Sequence, residues 1–522
     1  MKSSRITSIL VVAVLVASAA ITASAAPKSP VVATDNGPIR GTTIGPIQAF
    51  RGIPYAAAPV GDLRWRPPQA HPGWQGVLDA SAFGPHCPQR ATPYGTPSAT
   101  EDCLFLNVFT PDKTDSGRPH LLPVMFWIHG GGLVVGESDG YDPTRLVAQG
   151  VIVVTINYRL GELGFLAHPA LSAESPTGAS GNYGLMDQQA ALRWVQRNIR
   201  AFGGDADNVT IFGESAGGLS VHSELASPLA AGLFHKAIVE SGAYSLTQPS
   251  LASAQASGTA FAAGAGCSSQ TAACLRSLSV SAVLAAQTAT TMVPNLDGVV
   301  LPQTVKAAFT SGQFNQVPVI EGSNHDEWRL FVAQTEAATG TPLTAAGYVP
   351  AIAATLGVPP AVAAVIASVY PLAAYSSPSV ALGAVGTDAV FACNARVSAR
   401  LLSQFVPTFQ YEFNDPTVPM LYFANVSFPT GAYHASELGY IFDITQTPVP
   451  NPGLNPAQQE LSDAMIGYWT QFARSGNPNS AGAPGWAAFA VMSDLFQSLQ
   501  LPAPTTKTGF GTDHKCSFWG SG

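Results

Sequence analysis

Short, mostly apolar runs, each bounded by glycine, proline or polar turns, recur along this chain and predict buried strands. They lie at residues 123–128, 151–156, 209–212, 236–239, 317–321 and 408–413. Runs without regular polar alternation are typical of a parallel sheet that is covered on both faces.

Apolar residues also recur at helical spacing over 185–199, after residue 215 and over 461–472. Residues 246–305 and 334–400 are rich in alanine and serine with weaker helical patterning, and we expect them to form helical insertions over the sheet. The sequence therefore predicts an α/β fold: a central, mostly parallel sheet with helices on both faces.

Composition supports a large core and excludes some partners. Hydrophobic residues make up 46% of the chain and charged residues 11%, which is well below the usual quarter. The net charge is −8 and no run of lysine or arginine occurs, so we expect no nucleic acid partner. No internal repeat or linker divides residues 26–522, which are predicted to form one catalytic domain; no oligomeric state is predicted.

The first 25 residues have the pattern of an export signal. Lys2 and Arg5 are followed by an apolar stretch at 9–20 and by the small residues 23–25. A membrane anchor is the alternative, but the apolar stretch is short, and no later run reaches the roughly 18 apolar residues that span a bilayer. We expect residues 1–25 to be removed and the protein to be secreted, to a periplasm or outside the cell, without a stable membrane anchor.

Residues 213–217 read G-E-S-A-G and follow the predicted strand at 209–212. A serine between a strand and a helix must turn sharply to project its hydroxyl, and Gly213 and Gly217 leave room beside that turn. The N-terminus of the next helix directs free amides to the same place. A plain glycine-rich turn is the alternative, but the flanking strand and helix favour Ser215 as a nucleophile.

A nucleophilic serine needs a base and an orienting acid, which in doubly wound hydrolases follow it in the order acid, then histidine. Three histidines lie beyond residue 300, namely His325, His434 and His514. His514 lies in a tail close to a cysteine, and His325 adjoins the acid candidates, which leaves His434 as the base. Asp326 and Glu327 both follow a predicted strand, and their spacing does not separate them.

A glycine run, H-G-G-G at 129–132, directly follows the predicted strand at 123–128. Such a backbone approaches a ligand closely, and its amides stabilise an oxyanion. Gly131, Gly132 and Ala216 are the donors that we expect. Loss of one such donor typically costs about 3 kcal/mol of barrier height.

Six cysteines follow the export signal: Cys87, Cys103, Cys267, Cys274, Cys393 and Cys516. An even number in an exported chain favours disulfides over metal ligation. Sequence neighbours suggest Cys87–Cys103 and Cys267–Cys274, although spacing alone leaves other pairings open. No C-x-x-C motif occurs, so we predict no metal site.

Five segments of the chain carry a wider pattern. They are F-R-G-I-P-Y-A at 50–56, E-D-C-L-F-L-N-V at 101–108, N-Y-G-L-M-D-Q at 182–188, the serine-bearing stretch 202–217, and C-S-F-W at 516–519. Together they resemble the type-B carboxylesterase family, which includes cholinesterases and bacterial para-nitrobenzyl esterases. The resemblance implies an α/β-hydrolase fold and hydrolysis of small-molecule carboxylic esters without a cofactor.

The resemblance also implies roles for single residues. The acid of the family's N-x-D-E segment falls on Glu327, and the histidine of its H-x-x-E segment falls on His434. A glutamate before the nucleophile falls on Glu214, and a supporting serine falls on Ser241.

The family's oxyanion donors fall on Gly131, Gly132 and Ala216. Its disulfides imply the pairs Cys87–Cys103, Cys267–Cys274 and Cys393–Cys516.

One departure concerns the loop closed by Cys87 and Cys103, which is short and has Tyr94 as its only aromatic residue. Cholinesterases hold a cationic choline group on a tryptophan in this loop, so choline esters are not expected here. We expect short-chain or aromatic esters, with pocket walls among Leu133, Trp328, Phe331, Tyr422 and Phe428. The alternatives are a lipase, polyester hydrolase or amidase of the same fold, or a non-catalytic binding protein, which the retained triad residues disfavour.

Overall fold

The computed structural model describes Met1 and residues 29–112, 120–288 and 291–520, so the predicted export signal lies outside the described residues apart from Met1. The strands are β1 (Val31–Thr34), β2 (Gly37–Arg40), β3 (Thr42–Ile44), β4 (Ile47–Pro54), β5 (Leu78–Asp79), β6 (Phe105–Pro111), β7 (Leu122–Ile128), β8 (Tyr141–Asp142), β9 (Ile152–Ile156), β10 (Gly204–Glu214), β11 (Lys236–Glu240), β12 (Val319–Asn324), β13 (Thr408–Phe413), β14 (Asp443–Ile444), β15 (Phe496–Leu499) and β16 (Thr505–Lys507).

One large sheet has the strand order β16-β15-β13-β12-β11-β10-β7-β9-β6-β4-β3. Neighbouring strands from β15 to β9 are parallel, whereas β16 and the strands beyond β9 pair antiparallel. Every residue of β11, β12 and β13 is buried, as expected for parallel strands covered on both faces. The predicted fold class is therefore confirmed.

The α-helices are α1 (Thr144–Ala148), α2 (Gly161–Phe165), α3 (Pro169–Glu174), α4 (Tyr183–Asn198), α5 (Ala216–Ala226), α6 (Leu251–Gly264), α7 (Ala272–Ser277), α8 (Val280–Ala286), α9 (Val305–Ser311), α10 (Arg329–Thr339), α11 (Tyr348–Leu356), α12 (Pro360–Val369), α13 (Pro378–Gly386), α14 (Cys393–Leu402), α15 (Leu438–Ile441), α16 (Pro456–Ser475) and α17 (Phe510–Asp513). A π-helical turn at Thr387–Ala392 joins α13 to α14. The predicted insertions correspond to α6–α9 and α10–α14.

Adjacent residues of β10 show how the sheet separates two cores. Ile211 packs in a cluster with Trp194 of α4, whereas Phe212 packs in a second cluster with Trp469 of α16. Successive side chains of a strand point to opposite faces, so both faces of β10 are covered by helices. The predicted helix at 461–472 is longer than expected, because an Asn455 capping box starts it and Gly476 ends it at a positive φ of 76°.

One strand boundary differs from the prediction in a way that affects the site. The run predicted at 317–321 corresponds to β12, which begins at Val319 and continues through three further residues to Asn324. Pairing with β13 extends to the partners Asn324 and Phe413, so the ladder holds these residues in the sheet.

The cysteines form three disulfides, Cys87–Cys103, Cys267–Cys274 and Cys393–Cys516. These are the pairs that the family resemblance implied, and no cysteine of the described residues is free.

Candidate active site

Ser215 occupies a strained turn between β10 and α5. Its φ of 55° and ψ of −119° are unfavourable for a residue with a side chain, and strain of this kind concentrates at functional sites. A Cβ on Gly217 would lie 1.9 Å from the carbonyl oxygen of Ile128, and one on Gly213 would lie 2.6 Å from the carbonyl carbon of Gly217. The two glycines are therefore required for the turn to pack against β7.

Glu327 and His434 form a buried hydrogen-bonded pair. Nδ1 of His434 lies 2.6 Å from Oε2 of Glu327. The other oxygen, Oε1, accepts hydrogen bonds from the hydroxyl of Ser241 at 2.6 Å and from the amide of Asn324 at 2.7 Å. Glu327 is fully buried and His434 is 4% exposed, so these contacts fix both the carboxylate and the imidazole.

Sheet topology explains how the pair meets across the sequence. Glu327 follows β12, and His434 follows the neighbouring parallel strand β13, so both lie at the same edge of the sheet. Asp326, the other acid candidate, points away: its carboxylate accepts from the amide of Ala432 at 3.0 Å and lies 2.8 Å from Nη2 of Arg329. The structure thus places Glu327, and not Asp326, against His434.

Nε2 of His434 faces Glu214 in this structure. It lies 3.2 Å from Oε1 of Glu214, although that oxygen has no hydrogen-bond partner among the described residues. Within the described chain no hydrogen bond joins the Ser215 hydroxyl to His434. The expected serine–imidazole bond is therefore not formed in this conformation; catalytic hydrogen bonds often tighten only when substrate binds.

Glu214 and Ser215 nevertheless converge on one place. A Cβ on Gly130 would lie 2.8 Å from Oε2 of Glu214 and 3.1 Å from Cβ of Ser215. The imidazole of His434 therefore faces the residue that directly precedes Ser215 in this turn.

Burial controls the charge of the carboxyl groups around this pair. It raises the pKa of Glu214 well above the usual range, and the carboxylates of Glu327 and Glu240 add to the effect. Burial likewise raises the pKa of Glu240 to about 8, while the Nε1–H of Trp469 donates to it. Burial and the neighbouring glutamates also raise the pKa of Glu437, whose carboxyl accepts a hydrogen bond from the side chain of Asn324. The neutral form of these three carboxyls is favoured at pH 7.

The glycine run after β7 presents free amides. Gly131 and Gly132 have φ values of 96° and 64°, and the carbonyl of Gly131 accepts from the amides of Val134 and Val135 in a tight turn. The amides of Gly131, Gly132 and Ala216 donate to no group of the described chain. Ala216 is the first residue of α5, where an unpaired amide is expected.

Aromatic rings surround the imidazole. The ring centroids of Phe331 and Phe391 lie 5.3 and 4.8 Å from that of His434, and Trp328 packs on Phe331 at 4.6 Å. Phe391, in the π-helical turn, was missed by sequence reasoning, because an isolated phenylalanine in an alanine-rich stretch carries no signal.

The other three expected wall residues, Leu133, Tyr422 and Phe428, have different surroundings. Leu133 is fully buried, Tyr422 packs on Tyr94 at 5.1 Å, and Phe428 lines an open groove formed by residues 416–431 and Val449. Among the described residues no cluster of three His, Cys, Asp or Glu side chains is arranged to hold a metal.

A mostly parallel sheet with a strained serine turn after its central strand and a Glu–His pair beyond two neighbouring strands defines an α/β hydrolase. The chain belongs to the Carboxylesterase family, whose profile matches residues 28–519.

Named relatives agree with this assignment. Para-nitrobenzyl esterase of Bacillus subtilis (strain 168) is 36% identical over 483 residues, which cover 88% of this chain and 92% of that protein. Acylcarnitine hydrolase of Mus musculus is 36% identical over 514 residues, with coverages of 91% and 87%. A solved PNB esterase structure superposes with a TM-score of 0.78 at 33% identity and covers 93% of this chain and 98% of the esterase. The protein is thus a carboxylic ester hydrolase, and the predicted family and enzyme class are confirmed.

Proposed function

We propose that the protein is a secreted serine esterase with Ser215, His434 and Glu327 as its catalytic triad. The observation that carries this proposal is the 2.6 Å hydrogen bond between Glu327 and Nδ1 of His434, which leaves Nε2 facing Glu214, the residue before Ser215. Glu327 fixes the ring and stabilises the imidazolium that forms during the reaction.

In the proposed reaction, Nε2 of His434 leaves Glu214 and takes the proton of Ser215 while Oγ bonds to the ester carbonyl carbon. The amides of Gly131, Gly132 and Ala216 bind the resulting oxyanion. His434 then protonates the departing alcohol as its C–O bond breaks, and an acyl-enzyme remains. Water, deprotonated by His434, attacks the acyl carbon and releases the carboxylic acid and the free serine.

Short-chain or aromatic esters are the proposed substrates. The rings of Trp328, Phe331 and Phe391 close around the imidazole and leave an aromatic surface where an acyl or aryl group must lie. The names para-nitrobenzyl esterase and cocaine esterase, carried by relatives, are consistent with aromatic esters. Turnover of para-nitrophenyl esters of increasing acyl length tests this: we expect a maximum at short acyl chains, whereas higher activity on emulsified triglyceride would favour a lipase.

Replacement of the nucleophile tests the triad. We expect Ser215→Ala to abolish both turnover of para-nitrophenyl acetate and covalent labelling by a fluorophosphonate probe. Ser223→Ala is the matched control, because it removes another buried hydroxyl of α5, one that donates only to the carbonyl of Leu219. Retained labelling of Ser215→Ala at wild-type rate would contradict the proposal.

Secretion is supported by the export-signal pattern and by the pairing of every cysteine in the described residues, since disulfides persist in oxidising compartments. Mass spectrometry of the protein made by a secreting host is expected to find a mature N-terminus near residue 26. An intact N-terminus on protein retained in the cytoplasm would contradict this.

A further inference from the structure

His514, a residue of the C-terminal tail that was not expected to be the base, lies between the carboxylates of Asp388 and Glu412. It follows α17 and is 3% exposed. Its Nδ1 lies 2.7 Å from Oδ1 of Asp388, and its Nε2 lies 2.7 Å from Oε1 of Glu412. Burial alone lowers the pKa of an imidazole, but the hydrogen bonds and charges of these two carboxylates outweigh it and raise the pKa of His514 to about 10. At neutral pH both ring nitrogens therefore donate.

Asp388 belongs to the π-helical turn Thr387–Ala392, and the tail contacts this turn and its end at further points. Oδ2 of Asp388 accepts from the hydroxyl of Tyr370 at 2.7 Å, and that hydroxyl accepts from Nε1 of Trp519 at 2.8 Å. The disulfide Cys393–Cys516 joins the tail to the residue directly after the turn. The C-terminal tail is thus bonded to Asp388 near the start of the turn and to the residue that follows its end.

The same turn carries Phe391, whose ring lies 4.8 Å from the His434 ring at an angle of 44°. Thr387, at the other end of the turn, accepts a hydrogen bond at 3.0 Å from the amide of Trp328, the residue after Glu327. π-Helical turns inside α-helices are rare and are frequent at functional sites. A displacement of this turn would therefore move a ring that bounds the imidazole.

We propose that His514 is a positioning residue for ester hydrolysis, because by bridging Asp388 and Glu412 it holds the π-helical turn, and with it the Phe391 ring, against His434. Glu412 adds a second connection, since it belongs to β13, the strand that precedes His434 in the chain. The inference rests on the proposed role of His434 as the base.

A double-mutant cycle tests the connection. In His514→Gln, Phe391→Leu and the double variant, kcat and KM for para-nitrophenyl acetate are measured together with the rate of fluorophosphonate labelling at Ser215. We expect each single variant to lower kcat and the labelling rate about tenfold, since small misplacements of a catalytic group are costly, with KM changed less than about twofold. The double variant is expected to be no slower than the slower single variant, because the two side chains act as a unit.

His168→Gln is the matched control for the loss of a buried imidazole. His168 is 2% exposed and bonds Gln270 and the amide of Ala170, far in sequence from the tail; we expect its kcat to stay within about twofold of the wild type. Circular dichroism verifies the fold of each variant. If His514→Gln does not fold, the nearly isosteric Asp388→Asn replaces it in the cycle, with the same non-additivity expected.

Two results would overturn the inference and leave the proposed function intact: a folded His514→Gln with wild-type kcat and labelling rate, or a double variant whose loss equals the product of the single losses. Wild-type protein that is not labelled at Ser215 would instead remove the proposed function and this inference together.

Discussion

The proposed triad (Ser215, His434, Glu327) can be compared with a second cluster of the described residues that has the same residue types (Ser398, His222, Glu321). In the second cluster Nε2 of His222 lies 2.7 Å from Oε2 of Glu321. The hydroxyl of Ser398 lies 3.1 Å from the same nitrogen and donates to the same carboxylate oxygen at 2.8 Å. The residue types are identical, so composition does not separate a catalytic site from a structural one.

The distribution of contacts over the imidazole does separate them. In the proposed triad Glu327 binds Nδ1 of His434, so Nε2, which faces Glu214 in this structure, remains available for the proposed proton transfer from Ser215. In the second cluster the acid and the serine share Nε2, so His222 cannot relay a proton between them, and all three side chains are fully buried. A triad therefore requires opposite ring nitrogens and access for substrate, and backbone position supplies both.

The largest expected difference is in kcat, between substitutions of the two glutamates Glu327 and Glu321. Glu327→Gln is expected to lower kcat about 10⁴-fold, because the imidazole loses its fixed tautomer and the charge that stabilises its protonated form. Glu321→Gln, the same change in the second cluster, is expected to leave kcat of the folded protein within about twofold. Stopped-flow turnover of para-nitrophenyl acetate measures both. Equal losses in the two variants would show that the two clusters do not differ in their contribution to catalysis.

We expect the second cluster to contribute to the stability of the fold and not to kcat. His222→Ala removes one partner of a fully buried cluster and leaves the Glu321 carboxyl without it, so we expect the free energy of unfolding to fall by about 3–5 kcal/mol. Urea unfolding measures this loss, and kcat per folded molecule serves as the internal control. A stability loss below about 1 kcal/mol would show that the second cluster contributes little to the fold.

In the proposed mechanism, the amides of Gly131, Gly132 and Ala216 act together with the proposed triad and not with the second cluster. Gly131→Ala would place a Cβ 2.1 Å from the carbonyl of Val135 at a φ of 96°, so the turn must shift and misalign its amides. We expect kcat to fall about 10²- to 10³-fold. Gly178→Ala is the control, since its φ of 71° is similarly unfavourable but no atom lies within 4 Å. A similar loss of kcat in both variants would assign the effect to backbone strain alone.

The smallest expected effect concerns His514, a buried histidine whose two ring nitrogens each bond a carboxylate. Its pKa of about 10 in the folded protein lies above the unfolded value of about 6.5. Its stabilising contribution is therefore complete below about pH 6.5 and is lost as the pH rises toward 10. In urea unfolding at pH 7, 8.5 and 10, the stability difference between wild type and His514→Gln should narrow with rising pH. A constant or widening difference would be inconsistent with this charge state.

Residue patterns predicted much of the fold, because parallel strands that are buried on both faces consist of nearly continuous runs of apolar residues. Thr408–Phe413 matches its predicted bounds, and β7, β9 and β11 differ by one residue at an end. The boundary of β12 was missed, since the extension through Asn324 depends on a neighbouring strand that is distant in sequence.

The parts of the candidate site that belong to short local motifs were predicted from the sequence. The serine turn and the glycine run are each a short continuous segment, so both were recognised from the sequence; their roles in catalysis stay predictions. The choice between Asp326 and Glu327 needed the family resemblance, because it depends on which carboxyl points toward His434. Phe391 could not be found from the sequence, since its contact with His434 is created by a π-helical turn.

The insertion from α10 to α14 leaves the sheet after β12 and returns at its immediate neighbour β13. Because both of its ends lie on adjacent strands, replacing this insertion leaves the order of the sheet strands unchanged. Its π-helical turn, however, is bonded to His514 and followed by Cys393, whose disulfide partner Cys516 is 123 positions away. Chimeras must therefore transplant the insertion and the C-terminal tail from the same parent.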